Sequence, residues 1–238
     1  MSIPISDRLL ACAAFVNPGD RVADVGCDHG YLGIYLLRRG IARSVIASDL
    51  REGPLQSARE NGALYGVAEK MTFVLSDGLQ SVPRDFDTLV CAGMGAATMI
   101  SILEAAPWLQ NSSYRLILQC QIKNCLLRKY LSDHGFRILE EQVLRDGKFL
   151  YTVLEAVYEE GGALLTPGQC YIPPVMLEAP QTVFPEYFFW TKRGLDRIVV
   201  SRGASASAWM QEAAQELEDM ARKTPCLMAY KEEHFESI

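Results

Sequence analysis

The sequence predicts an α/β chain: a doubly wound, mostly parallel sheet that finishes in an antiparallel hairpin, followed by a small helical appendage. Three observations carry this. Short β-rich apolar runs alternate with helical patterns through the first 160 of 238 residues, and near-continuous apolar strands separated by helices belong to a parallel sheet covered on both faces. After Gly135 two strand-like runs are joined by Arg145-Asp146-Gly147-Lys148, and Asp-Gly between such runs signals a hairpin. Beyond Gly161-Gly162 prolines crowd the chain and a helical spacing takes over.

The elements follow in order. A helix is expected over residues 5–16, with Ser6 as N-cap and Asn17-Pro18-Gly19-Asp20 as its stop. Strands are expected at 21–26, 44–49, 71–75, 88–92 and 115–119. Helices are expected at 31–39, at 54–65 before Gly66, and at about 96–106 and 124–134. Residues 137–144 and 149–158 make the hairpin. A boundary near 160 divides a domain of residues 1–160 from an appendage of 161–238. Pro167, Pro173, Pro174, Pro180 and Pro185 read as linker. From Phe184 a helix carries Tyr187, Phe188, Trp190, Thr191, Leu195, Ile198 and Val199, and breaks at Ser201-Arg202-Gly203. A second helix follows, with Trp209, Ala213, Leu217 and Met220 at i, i+4, i+8 and i+11. Two such helices would pack as an antiparallel hairpin or coiled coil.

Composition narrows the function classes. With 49% hydrophobic and 22% charged residues and a net charge of −6, disorder and collagen are excluded. No run approaches the ~20 apolar residues that span a bilayer, and Met1-Ser2-Ile3-Pro4 lacks a signal-peptide pattern. A cytoplasmic protein without a membrane partner is expected. Seven cysteines form no CxxC pair, which favours reduced thiols over disulfides or structural zinc. No metal and no obligate protein partner are expected. Acidity disfavours coating nucleic acid through bulk charge. Residues 1–160 hold 16 basic and 19 acidic side chains, and the rest hold 7 and 10. Positive charge is nevertheless local: Lys192, Arg193, Arg197 and Arg202 gather with only Asp196 opposing them, and Arg38, Arg39 and Arg43 form a second group.

Chemistry concentrates at the strand exits. Asp24-Val25-Gly26-Cys27-Asp28-His29-Gly30 leaves the first strand, where glycine lets backbone approach a ligand. The spacing is G-x3-G-x2-G, not the dinucleotide G-x-G-x-x-G. Asp24 and Asp28 oppose a pyrophosphate but suit an ammonium and a sulfonium, which points to S-adenosylmethionine. Gly26, Cys27 and Gly30 are expected to line its site. Asp49, with Leu50 beside it, suits a ribose diol. After the third strand, Asp77 with Gly78 stands where a methyltransferase typically contacts the adenine amino group, or else forms only a turn. At Ala92-Gly93-Met94-Gly95-Ala96, Gly93 lets substrate and donor approach the main chain and Met94 packs a flat base, unless the segment is merely a glycine-rich helix start. His29 is either a satisfied turn histidine or a participant.

With these residues assembled, the chain resembles the TrmK family, bacterial methyltransferases acting on N1 of adenine 22 in tRNA. The matching stretches are Ser6-Asp7-Arg8-Leu9, Val22 to Leu32, Glu52-Gly53-Pro54-Leu55-Gln56-Ser57-Ala58, Asp77-Gly78-Leu79 and Ala92-Gly93-Met94-Gly95, continued by Leu116-Ile117-Leu118-Gln119 and Leu127-Arg128. The likeness covers about residues 5–155, and the appendage is similar as well. It implies the class I methyltransferase fold, whose last strand inserts antiparallel. Two departures stand out: Gln119-Cys120-Gln121 in place of Gln-Pro-Asn, and Ala96 in place of a third glycine. Asp28, His29 and Met94 are the catalytic candidates. Asp28 either serves the base, by steadying its developing charge or orienting it, or serves the donor's ammonium. Tyr31 either stacks on a flipped base or packs. Arg38, Arg39, Lys192, Arg193, Arg197 and Arg202 are expected on tRNA phosphates. Competing readings are a methyltransferase for a small molecule or protein and a noncatalytic nucleotide fold. A dehydrogenase is opposed by the loop carboxylates and the terminal hairpin.

Overall fold

The computed structural model describes residues 2–162, 164–179 and 181–235. Pro180, part of the expected linker, and the last three residues of the expected appendage lie outside the described residues. Among those described, seven strands form one sheet: β1 (Arg21–Val25), β2 (Ser44–Asp49), β3 (Met71–Leu75), β4 (Thr88–Met94), β5 (Arg115–Cys120), β6 (Phe136–Asp146) and β7 (Phe149–Tyr158). Their order is β3-β2-β1-β4-β5-β7-β6. The first five are parallel, and β7 enters antiparallel to β5. The expected sheet is therefore present, hairpin included.

Five helices cover it. α1 (Asp7–Ala14), α2 (Tyr31–Arg38) and α3 (Glu52–Leu64) bury Cys12, Leu36 and Leu55 on one face. α4 (Ala96–Glu104) and α5 (Asn124–Asp133) bury Met99 and Leu127 on the other. Ser6 caps α1 by accepting from Leu9 N–H, satisfying an otherwise orphan donor of the first turn. Strand order reverses between β1 and β4, and ligands of open α/β sheets bind in the crevice at such a switch point.

The appendage departs from the two-helix expectation. Among the described residues it holds five α-helices: α6 (Pro167–Tyr171), α7 (Pro174–Glu178), α8 (Phe184–Arg202), α9 (Ala208–Lys223) and α10 (Pro225–Phe235). Prolines that read as linker stand in the first turns of these helices, where the missing N–H costs nothing and the fixed φ is already helical. Thr166 and Gln169 complete a capping box before α6. Ala213 and Leu217 bury against Phe188 and Leu195 as the spacing predicts. Trp190 and Ile198, expected in the same pattern, are instead exposed. The appendage core also takes in Val143 of β6, whose N–H donates to Gln181 Oε1 at 2.7 Å.

Candidate active site

The loop after β1 is folded by its own backbone. Gly26 and Cys27 both donate to Ser48 O of β2, at 2.8 and 2.9 Å. Gly26 and Gly30 have φ of +75° and +72°, a region open to glycine and costly for most residues. A Cβ on Gly26 would collide with the Met94 methyl, and one on Gly30 would come within 3.0 Å of Ala58 on α3. Asp28 also sits in the left-handed region, at φ +50°, which Asp tolerates better than most side chains. Asp49 secures the loop: its Oδ2 accepts from Asp28 N–H at 3.2 Å and its Oδ1 from Arg51 N–H at 3.0 Å.

Asp24 stands on β1 between Ala47 of β2 and Val90 of β4. Only 4% of it is exposed, and its Oδ2 has no hydrogen-bond partner among the described residues. Burial, reinforced by the nearby Asp49 charge, pushes its carboxyl up to about 7. Such a group lacks a cation. Asp28, by contrast, is 65% exposed along its side chain, with His29 Nε2 3.7 Å from its Oδ2.

Across the crevice, β4 is bulged between Ala92 and Met94, with Gly93 at φ +78°. Bulges re-aim a strand beside a site. The bulge is held by Gln119 of β5, wholly buried, whose Oε1 accepts from Gly93 N–H at 3.0 Å. Gln121 N–H donates to Met94 O at 2.8 Å. The resulting cavity is lined by Asp24, Gly26, Cys27, Asp28 and Gly93, and by Gln119, Gln121 and three residues of the α1 segment, Ser6, Arg8 and Leu9. Leu50 and Asp77 lie exposed at the neighbouring ends of β2 and β3. Ser76 ties the latter turn, donating to Gly78 O at 2.9 Å.

Residues 5–154 match the family described as methyltransferase domain. A Streptococcus pneumoniae protein, a candidate tRNA (m1A22) methyltransferase solved with S-adenosyl-L-methionine, is 31% identical over 90% of this chain and 98% of its own, with a TM-score of 0.78. The chain belongs to the TrmK family of methyltransferases. The tRNA (adenine(22)-N(1))-methyltransferase of Bacillus subtilis is 27% identical over 94% of this chain and 96% of its own. The ribosomal protein L11 methyltransferase of Syntrophomonas wolfei is 32% identical but over only 56% of this chain. What sets the TrmK likeness apart is thus that it runs through the appendage.

Within this TrmK frame the basic residues separate. Arg38 and Arg39 lie at the far end of α2 from the loop, about 12 Å along the helix, with Arg39 over the Tyr35 ring. Lys192 is not opposed by Asp196 alone: it bridges Asp196 and Glu218 of α9 at 2.7 and 3.0 Å. Arg193 and Arg197 share an exposed face of α8, and Arg202 is exposed at its end. Tyr31 packs partly against the core, its ring 5.7 Å from that of His29. Sequence reasoning missed Arg8 and Gln119 as site residues. Arg8 is fixed by Asp146 at 2.7 Å and lies over Tyr151, partners too remote in sequence to announce it.

Proposed function

We propose that this chain transfers a methyl group from S-adenosylmethionine to N1 of adenine 22 in tRNA. The observation that carries the reading is Asp24, a buried carboxylate with an unsatisfied oxygen at the foot of a glycine loop. A cationic ligand repairs that deficit and a dinucleotide pyrophosphate worsens it. The residues present therefore fit the sulfonium cofactor, with Gly26 and Gly93 giving main-chain access. Asp49 and Asp77, on adjacent strand ends, would hold the ribose and the adenine amino group. When bound, that cofactor supplies an electrophilic methyl carbon.

The protein's task is alignment. Adenine N1 carries an in-plane lone pair that is unprotonated at neutral pH, so no strong base is needed for attack. Positioning alone contributes much of the rate in such displacements. Asp24 takes the donor's ammonium, which leaves the exposed Asp28 facing the base, where a carboxylate steadies the charge that grows on the ring. His29 stands beside Asp28, and the Tyr31 ring lies against that of His29. Gln119 and Met94 fix the bulge under the acceptor. N1 lies on the Watson–Crick edge, so the base must leave its stack to react, and exposed Arg193, Arg197 and Arg202 would hold the phosphates around it. Support for RNA over a small molecule or protein comes from two relatives that are similar through the appendage and carry tRNA in their names, those of Bacillus subtilis and Streptococcus pneumoniae. Titration calorimetry with S-adenosylmethionine and with NAD tests the cofactor half. Binding of the first alone is expected, and preference for NAD would overturn it.

A further inference from the structure

A second cavity, a groove of about 600 Å3, runs between the catalytic domain and α8. Its character is mixed in a specific way. Trp190, 60% exposed, and Ile122 and Ile198 present apolar surface that the core does not use. Lys123 and Arg197 line it too, and neither has an ion-pair partner among the described residues, nor is there a carboxylate in the lining. Two buried polar atoms in the lining, Asn124 Oδ1 and Thr191 Oγ1, have no hydrogen-bond partner among the described residues. Gln121 lines both this groove and the catalytic cavity, so the two meet at the exit of β5.

α8 is also shaped for an occupant. Gly194 stands in the interior of a 19-residue helix, where glycine is unfavourable relative to alanine, and a Cβ there would meet nothing within 4 Å. Trp190, Gly194 and Ile198 are spaced i, i+4, i+8, so the glycine opens the floor between two apolar side chains.

We infer that this groove binds a second, unstacked base of the RNA substrate, stacked on Trp190, with its phosphate between Lys123 and Arg197. The inference rests on the tRNA reading above. An aromatic platform beside unpaired cations is the combination that holds single-stranded nucleotides, and the volume falls in the range of small-ligand pockets. The unpartnered oxygens of Asn124 and Thr191 would receive donors from the base edge. A groove with cations and no carboxylate complements a polyanion rather than a second copy of this acidic chain.

The test is steady-state methyl transfer to an unmodified tRNA transcript by the full chain and by Trp190→Ala, Trp190→Phe and Gly194→Leu, with S-adenosylmethionine affinity and Tm measured on each. Loss of a stacked base costs roughly tenfold or more. Trp190→Ala and Gly194→Leu should lower kcat/KM for tRNA by about that factor, and Trp190→Phe by about threefold or less. Cofactor affinity should be unchanged in all three, and Tm unchanged or raised for Gly194→Leu. Wild-type kcat/KM in both Trp190→Ala and Gly194→Leu overturns the groove assignment alone and leaves another occupant, such as a protein. A wild-type chain that binds cofactor but methylates no tRNA overturns the proposed substrate, and the groove assignment with it.

Discussion

Arg128 on α5 and Glu141 on β6 form a two-pronged ion pair, Nε to Oε2 at 2.9 Å and Nη2 to Oε1 at 2.6 Å, with the side chains 1% and 0% exposed. The remaining guanidinium protons go to the appendage: Nη1 donates to Cys170 O and Tyr171 O at 3.1 and 2.6 Å, and Nη2 to the Tyr187 hydroxyl at 3.1 Å. One side chain thereby joins the catalytic domain to α6 and α8. It also forms part of the floor of the groove between them.

Breaking such a pair from one side leaves a buried charge uncompensated, at a cost of about 3–5 kcal/mol. Arg128→Met and Glu141→Met should each lower stability by that amount. The double variant should lose less than the sum of the two, because the stranded charge is gone. Denaturant unfolding of the three variants checks this, and strictly additive losses would mean the pair is not coupled.

Asp24 makes cofactor binding pH-dependent. Its folded pKa of about 7 lies above the unfolded value of 3.8. Ionising it therefore works against the ligand-free fold at pH above 7, and stability is regained as pH falls from about 7 toward 4. A cationic ligand prefers the ionised form, so affinity for S-adenosylmethionine should rise with pH up to about 7 and then level, with a slope approaching tenfold per unit below it. Asp24→Asn should weaken binding about tenfold or more, flatten that profile, and stabilise the ligand-free protein at pH 8. Calorimetry across pH 5–8 is the measurement.

Gln119 acts through the bulge of β4 and not on the reactants. Gln119→Leu strands the Gly93 N–H, at a cost of about 1–3 kcal/mol. The expected kinetic result is a fall in kcat with S-adenosylmethionine affinity within about threefold, since a positioning loss is felt in the transition state. Rescue by asparagine is not expected, because the shorter side chain does not span the 3.0 Å contact from the same backbone position.

Lys123 occupies the left-handed region at φ +62°, so Lys123→Gly removes a charge while relieving the backbone. Stability should hold or rise slightly. Affinity for tRNA should fall, and the slope of its logarithm against log salt should flatten by about one. An unchanged slope would remove Lys123 from the phosphate contacts.

Local signals made most of the fold legible. The parallel strands announce themselves as apolar runs, the hairpin through Asp146-Gly147, and α1 through Ser6. The acidic glycine loop was equally plain, because its chemistry is contiguous in the chain. What stayed hidden depends on distant partners. Nothing near Arg128 names Glu141 or Tyr187, and nothing near Gln119 names Gly93. The helical spacing of α8 names Phe188 and Trp190 alike, but only the first is buried and the second faces the groove. The crowded prolines read as linker, although several begin helices. The sequence shows only Asp196 opposing Lys192, and it takes the folding of α9 against α8 to bring Glu218 to it as well.

The proposed reaction is transfer of a methyl group to N1 of adenine 22. The most direct measurement incubates the chain with labelled S-adenosylmethionine and two unmodified tRNA transcripts, one natural and one with guanine at position 22, and identifies the labelled nucleoside. Expected are 1-methyladenosine at position 22 of the natural transcript, no label in the substituted one, and a loss of turnover by orders of magnitude in Asp28→Ala. Label at another position or in another nucleoside, or full activity of Asp28→Ala, would contradict it.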